Sequence, residues 1–165
     1  MPADEVDEIV AAWQRERPDL DARPLHVLSR VTRLAQHLDA ARRSAFERNG
    51  LDVWEFDVLA ALRRSGAPYA MSAGHLATAT HVTSGTMTNR IDRLTERGLV
   101  RREADPADRR GVQVHLTAEG RQRVDAAFTT LVDSEAALLA AVPPERRDDV
   151  ADVLRTLIGQ FASGD

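Results

Sequence analysis

At Gly98 the apolar period of this chain changes, and no other feature restricts the fold as strongly. Before it, residues 83–97 (TSGTMTNRIDRLTER) put Met87, Ile91 and Leu94 on one side of a helix. After it, LVRREA and GVQVHL alternate, with Val112, Val114 and Leu116 on one face of the second run. DPADRRG lies between the two runs and carries the proline and glycine of a turn. Upstream, GAPY is a turn, and Met71-Ser72 opens a short helix expected to reach about Thr80. Thr83 caps the next helix and Gly98 stops it. A helix–turn–helix followed at once by a two-stranded hairpin is a winged helix.

The remainder reads as flanking helices. Val6, Ile9, Val10 and Trp13 form a stripe capped by Asp4. A second helix starts near Pro24 and stops at Gly50. In LDVWEF, Asp52 and Glu55 form an Asp version of the capping box, with Leu51 and Phe56 as a hydrophobic staple. That third helix runs to Ser65. Thr117 caps a long helix through about Ala141, with Val124, Phe128, Leu131, Leu138 and Leu139 as its stripe. After Pro143-Pro144 comes a last amphipathic helix, from Val150 to Phe161. The expected fold is therefore mainly α with a small β-hairpin wing. Residues 50–117 would be the DNA-binding winged helix-turn-helix, and 1–49 with 118–165 a helical dimerisation region.

Charge sharpens this. The formal net charge is −4, unfavourable for a nucleic-acid binder taken whole. Residues 1–30 hold 7 acids and 4 Arg, and residues 133–165 hold 7 acids and 3 Arg, so the 26 acids and 22 bases divide to leave 12 acids and 15 Arg between them. Every base is Arg, which suits bidentate contact with phosphate, carboxylate or guanine. From Ser65 to Asn89 there is no Asp, Glu, Lys or Arg. A helix entering a major groove needs short hydrogen-bonding side chains and no carboxylate at its leading end. Ser84, Gly85, Thr86, Thr88, Asn89 and Arg93 are the residues expected to meet DNA. Asp108, Arg109 and Arg110 would form the wing tip, where an Arg can enter a minor groove. The plainer alternative is a solvated polar helix and an exposed basic turn.

The run SGTMTNRIDRLTERGLVRREADPADRRGVQVHLTAEG resembles the multiple-antibiotic-resistance regulator (MarR) family, through LxxxGLV, DPxDRR and VxLTxxG in order. The resemblance extends over essentially the whole chain. It implies a homodimer built from the N- and C-terminal helices, two winged helices on a near-palindromic operator, and repression relieved by a ligand. Apolar stripes on the terminal helices agree with such a dimer, whose half-sites would lie about 10 bp apart.

Asp57 lies in WEFDVLAALRR, a helix apolar on nearly all sides, where a carboxylate is costly unless paired. Arg90 falls on the flank of its helix away from the groove face. Together Trp13, Asp57, Arg90 and Arg102 resemble the urate-responsive and trans-aconitate-responsive subgroup. That resemblance implies a site for a small anionic metabolite, purine-like or citrate-like. A structural Asp57–Arg90 or Asp57–Arg102 ion pair, with Trp13 as plain core or interface, stands as the alternative.

The acidic opening MPADEVDEIV lacks the basic then apolar pattern of a signal peptide, and no run is long enough to span a membrane, so a cytoplasmic protein is expected. Without cysteine there is no disulfide or thiolate metal site. No Ser-His-Asp spacing, phosphate loop or metal motif suggests an enzyme, and no cofactor is expected. The rival reading is a winged helix used only for protein contacts, or a DNA-binding regulator without a small-molecule effector.

Overall fold

A computed structural model describes residues 3–104 and 112–161. The chain divides into two compact units, Met1–Ser44 and Ala45–Asp165.

In the first unit, α1 (Glu5–Glu16) starts at Asp4, whose carboxylate accepts from the N–H of Val6 at 2.9 Å and Asp7 at 3.2 Å. The Asp7 carboxylate returns a bond to the Asp4 N–H, completing a capping box. Val6 and Val10 are buried, whereas Trp13 is 51% exposed. The helix α2 (Leu25–Glu47) is tied to α1 by Arg30, which reaches Asp4 at 2.8 Å and Asp7 at 2.9 Å, and by Arg33, 2.8 Å from Glu5. Arg30 holds the Asp4 carboxyl below the usual carboxylate range. Much of the acidity at this end of the chain is therefore already matched by arginine.

The second unit contains the remaining elements. α3 (Val53–Arg64) is the buried centre: Phe56, Val58, Leu59, Ala60, Ala61 and Leu62 all lie in the core. Phe46, near the end of α2, stacks on Phe56 with ring centroids 3.9 Å apart. α4 (Ala73–Ala79) and α5 (Ser84–Glu96) form the helix–turn–helix, contributing Leu76, Met87, Ile91 and Leu94 to the same core. The strands β2 (Val100–Ala104) and β3 (Val112–Leu116) pair antiparallel, Val100 opposite Leu116 and Ala104 opposite Val112. α6 (Ala118–Leu139) buries Gly120, Val124, Ala127 and Leu131. A short 3₁₀ turn (Pro144–Arg146) leads into α7 (Arg147–Gly159), which buries no residue.

One expectation holds and another is corrected. The short helix opens at Ser72 and closes at Thr80, as expected. Ala70–Ser72 is a strand, β1, paired antiparallel with β3, and Ser72 is the N-cap of α4 with its hydroxyl accepting from the His75 N–H. The sheet is thus three-stranded, in the order β1-β3-β2, rather than a free hairpin. On β3 only Val114 and Leu116 are buried. Val112, opposite the end of β2, is 45% exposed, because the core no longer underlies the outer part of the wing.

Gly120 shows how tightly α6 is docked. A Cβ there would stand 2.0 Å from the Leu99 carbonyl oxygen. Thr117, the N-cap of α6, fixes that approach: its hydroxyl meets the carbonyls of Gly98 at 2.8 Å and Leu99 at 3.1 Å, and accepts from the Gly120 N–H at 3.0 Å.

Candidate nucleic-acid interface

α5 begins at Thr83, whose hydroxyl accepts from the Thr86 N–H. The buried Met87, Ile91 and Leu94 fix its roll. That roll leaves Ser84, Gly85, Thr86, Thr88, Asn89 and Arg93 exposed together. The Thr83 and Thr86 hydroxyls bond each other at 2.9 Å, and Thr88 donates to the Ser84 carbonyl at 3.0 Å. With its proton engaged inward, the Thr88 hydroxyl presents lone pairs and a methyl outward. The face can accept hydrogen bonds, pack on a methyl and, at Asn89 and Arg93, donate. Asp108, Arg109 and Arg110 lie outside the described residues.

The far end of α5 is held by a buried carboxylate. Glu55, 2% exposed, accepts from the Asp52 N–H at 2.9 Å and from Arg97 Nη1. The second Arg97 nitrogen donates to the Gly50 carbonyl at 2.7 Å. The start of α3 and the end of α5 are thereby clamped together. It is Glu55, not Asp57, that is the buried acid of this helix; Asp57 is only half-buried.

The arginines expected to meet Asp57 are engaged elsewhere. Arg102, on β2, pairs with Asp92 of α5 at 2.6 Å, linking β2 to α5 and cancelling the one acid in the middle of α5. Arg90 lies over the ring of Trp54, its guanidinium carbon 5.5 Å from the centroid, and Arg93 lies over the same ring at 4.9 Å. Among the described residues neither Arg90 nor Asp57 has an ion-pair partner. Trp54, Gly85, Thr86, Asn89, Arg90 and Arg93 line an open cleft of about 500 Å³ that contains no carboxylate. Trp54 was not singled out in the sequence. The two arginines it meets are more than thirty positions away, and only its place in the first turn of α3 hinted at exposure. Trp13 belongs to the other unit, where it lines an apolar cleft of about 330 Å³ with Leu20, Pro24 and Leu25.

On the wing, the His115 ring lies 3.2 Å from a Glu103 carboxylate oxygen, a contact that would favour its charged form. Burial in the sheet and the charge of Arg101 nevertheless hold His115 below the ordinary histidine range.

A three-stranded sheet behind a helix–turn–helix, with an uncharged exposed helix face flanked by arginines, defines a winged-helix DNA-binding protein. The MarR family model matches residues 49–111. The HTH-type transcriptional regulator PecS of Dickeya dadantii (strain 3937) is 37% identical over 156 residues, 94% of this chain and 92% of that protein. The chain belongs to the MarR family, and is a DNA-binding transcription regulator rather than an enzyme. Two solved structures share the fold. A MarR family protein from Bacillus stearothermophilus has a TM-score of 0.73 at 21% identity, covering 87% of this chain and 99% of that one. Sco3205 from Streptomyces coelicolor, solved in complex with DNA, has a TM-score of 0.71 at 22% identity, covering 88% and 91%. Among the described residues no single helix is long and apolar enough to cross a membrane.

Proposed function

We propose that two copies of this chain bind a near-palindromic operator as a repressor, and that a small anionic metabolite releases them. The observation carrying the DNA half is the α5 face from Ser84 to Asn89, exposed as a block and free of charge. Ser84, Thr86, Thr88 and Asn89 meet base edges and nearby phosphates, Arg93 meets the backbone, and Arg109 and Arg110 make the wing contact.

Dimerisation is supported by apolar side chains that a lone chain leaves in water. Val27, Leu28, Val31 and Leu34 of α2 are exposed, as are Phe128 and Val132 of α6 and Val153 and Ile158 of α7. An apolar surface of this extent on a regulator marks a protein interface. Regions 1–49 and 118–165 supply it.

Arg90 supports the effector half, since its guanidinium has no carboxylate partner among the described residues and is open to an anion. Arg90 is the primary anion ligand. Asp57 senses the anion's charge, and Arg102 relays the change to the wing. The metabolite is urate-like or tricarboxylate-like, and it acts only by preferring the form that does not bind DNA.

The test is a thermal-shift series with urate, xanthine, citrate and trans-aconitate, followed by release of a labelled operator duplex. A ligand at 100 times its Kd raises stability by about 2.7 kcal/mol and so raises Tm. One of these anions should raise Tm and release DNA, and Arg90→Ala should leave a folded dimer in which the Tm response is weakened. An unchanged response in Arg90→Ala refutes the assignment.

A further inference from the structure

We propose that Trp54 is a positioning residue for DNA binding: its indole holds Arg90 and Arg93 together on the flank of α5 as a seat for backbone phosphate. This rests on the reading that α5 faces DNA. Two guanidiniums over one ring, 4.9 and 5.5 Å from its centroid, are an unusual use of a half-buried tryptophan. On an open helix surface, long arginine side chains sample many rotamers, and each must be frozen when a phosphate is bound. Stacking on an indole face makes that selection beforehand while leaving the N–H edges free to donate.

The ring itself is held in place. Its body packs against the core, and its Nε1–H donates to the Asp52 carboxylate at 3.2 Å. Asp52 is the N-cap of α3, so the platform is built on the same helix start that Glu55 and Arg97 clamp to α5. The cleft in front has neutral donors from Thr86 and Asn89, and Gly85 leaves its floor open, with no atom within 4 Å of where a Cβ would stand. Asp92, the acid on this helix nearest in sequence to both arginines, is already matched by Arg102. The result is a positive, preorganised concavity beside a face suited to base edges, which is where a duplex presents phosphate.

The chain has two tryptophans, so Trp13→Phe leaves Trp54 as the only one. In that background, binding is measured across salt on two duplexes, one selected from a random pool by the protein and one scrambled. Trp54→Phe keeps a ring and should bind within about threefold of its parent. Trp54→Leu should weaken both duplexes by roughly tenfold and lower the salt slope by about 1 to 2, leaving the ratio between duplexes unchanged. That pattern belongs to lost phosphate contacts; a distorted α5 would instead erode the preference for the selected duplex. Parental affinity and slope in a folded Trp54→Leu protein overturn the proposal, and so does a lost preference with the slope intact. Trp54 emission in the Trp13→Phe protein gives a second route should Trp54→Leu fail to fold. Saturating DNA should shield the indole from acrylamide, and unchanged quenching overturns the proposal. If the parent binds neither duplex at low salt, it is the DNA-facing reading of α5 that fails.

Discussion

Cutting the Glu55–Arg97 clamp should loosen α5 by an amount the structure brackets. Glu55 is 2% exposed and the Arg97 side chain 39% exposed, so the pair is neither fully buried nor fully at the surface. Breaking a buried pair from one side costs about 3–5 kcal/mol, whereas a surface pair is worth about 0–1 kcal/mol. Arg97→Met also removes the bond to the Gly50 carbonyl, worth about 1 kcal/mol net, but the Asp52 N–H still satisfies part of Glu55. The loss expected for Arg97→Met is about 2 kcal/mol. Glu55→Gln keeps an acceptor for the Asp52 N–H and should lose about 1–2 kcal/mol. The two losses should not add, since both remove one interaction, and the cycle should return a coupling of about 1.5 kcal/mol. Urea unfolding of the four proteins at one protein concentration measures this directly, and thermal midpoints should fall by about 2–4 °C per kcal/mol. A coupling below about 0.5 kcal/mol would mean that water screens the pair almost completely. The clamp would then be incidental to the placement of α5.

Gly120→Ala should destabilise at or above the upper end of the roughly 1–3 kcal/mol typical of overpacking, because the clashing Leu99 oxygen is backbone and is held by Thr117; near-parental urea unfolding would refute that. Arg102→Ala should weaken DNA binding several-fold by uncovering Asp92, and adding Asp92→Asn should recover most of it in a fluorescence-anisotropy titration. No recovery would show that Arg102 acts on DNA or ligand directly. His115 titrates below its ordinary value in the folded chain, so an unfolded chain takes up the proton first as pH falls. Its contribution is complete above about pH 6.5 and is lost as pH falls through the depressed value. His115→Gln should flatten the unfolding-versus-pH curve there, and an identical curve would place the titration elsewhere.

The features that were legible in the sequence are those written within a few residues. Asp4, Thr83 and Thr117 cap helices because a side chain and an N–H two or three positions on meet without help from the rest of the fold. The period change at Gly98 likewise located β2 and β3. What escaped depends on distant partners. Ala70–Ser72 is a strand only because β3, more than forty residues later, offers it an edge. Two carboxylates stand two residues apart in α3, and periodicity could not show which would be buried. Expectation gave Asp57 a costly buried position, but the roll of α3 gives that place to Glu55, whose partner is 42 residues away. The exposed face of α5 could be drawn from its own wheel. The ring beneath its arginines could not, because Trp54 comes from another helix.

The order of the sheet has a mechanical consequence. β3, the rung in the middle, is laced on one side to the strand that enters the helix–turn–helix and on the other to the strand that leaves it. The Leu116 N–H carries that lacing on to the Tyr69 carbonyl, and Thr117 then grips Gly98 and Leu99. Flap and reading helix are therefore spokes of one hub. A push on the paired part of β2 or β3 is passed to the strands that enter and leave the helix–turn–helix.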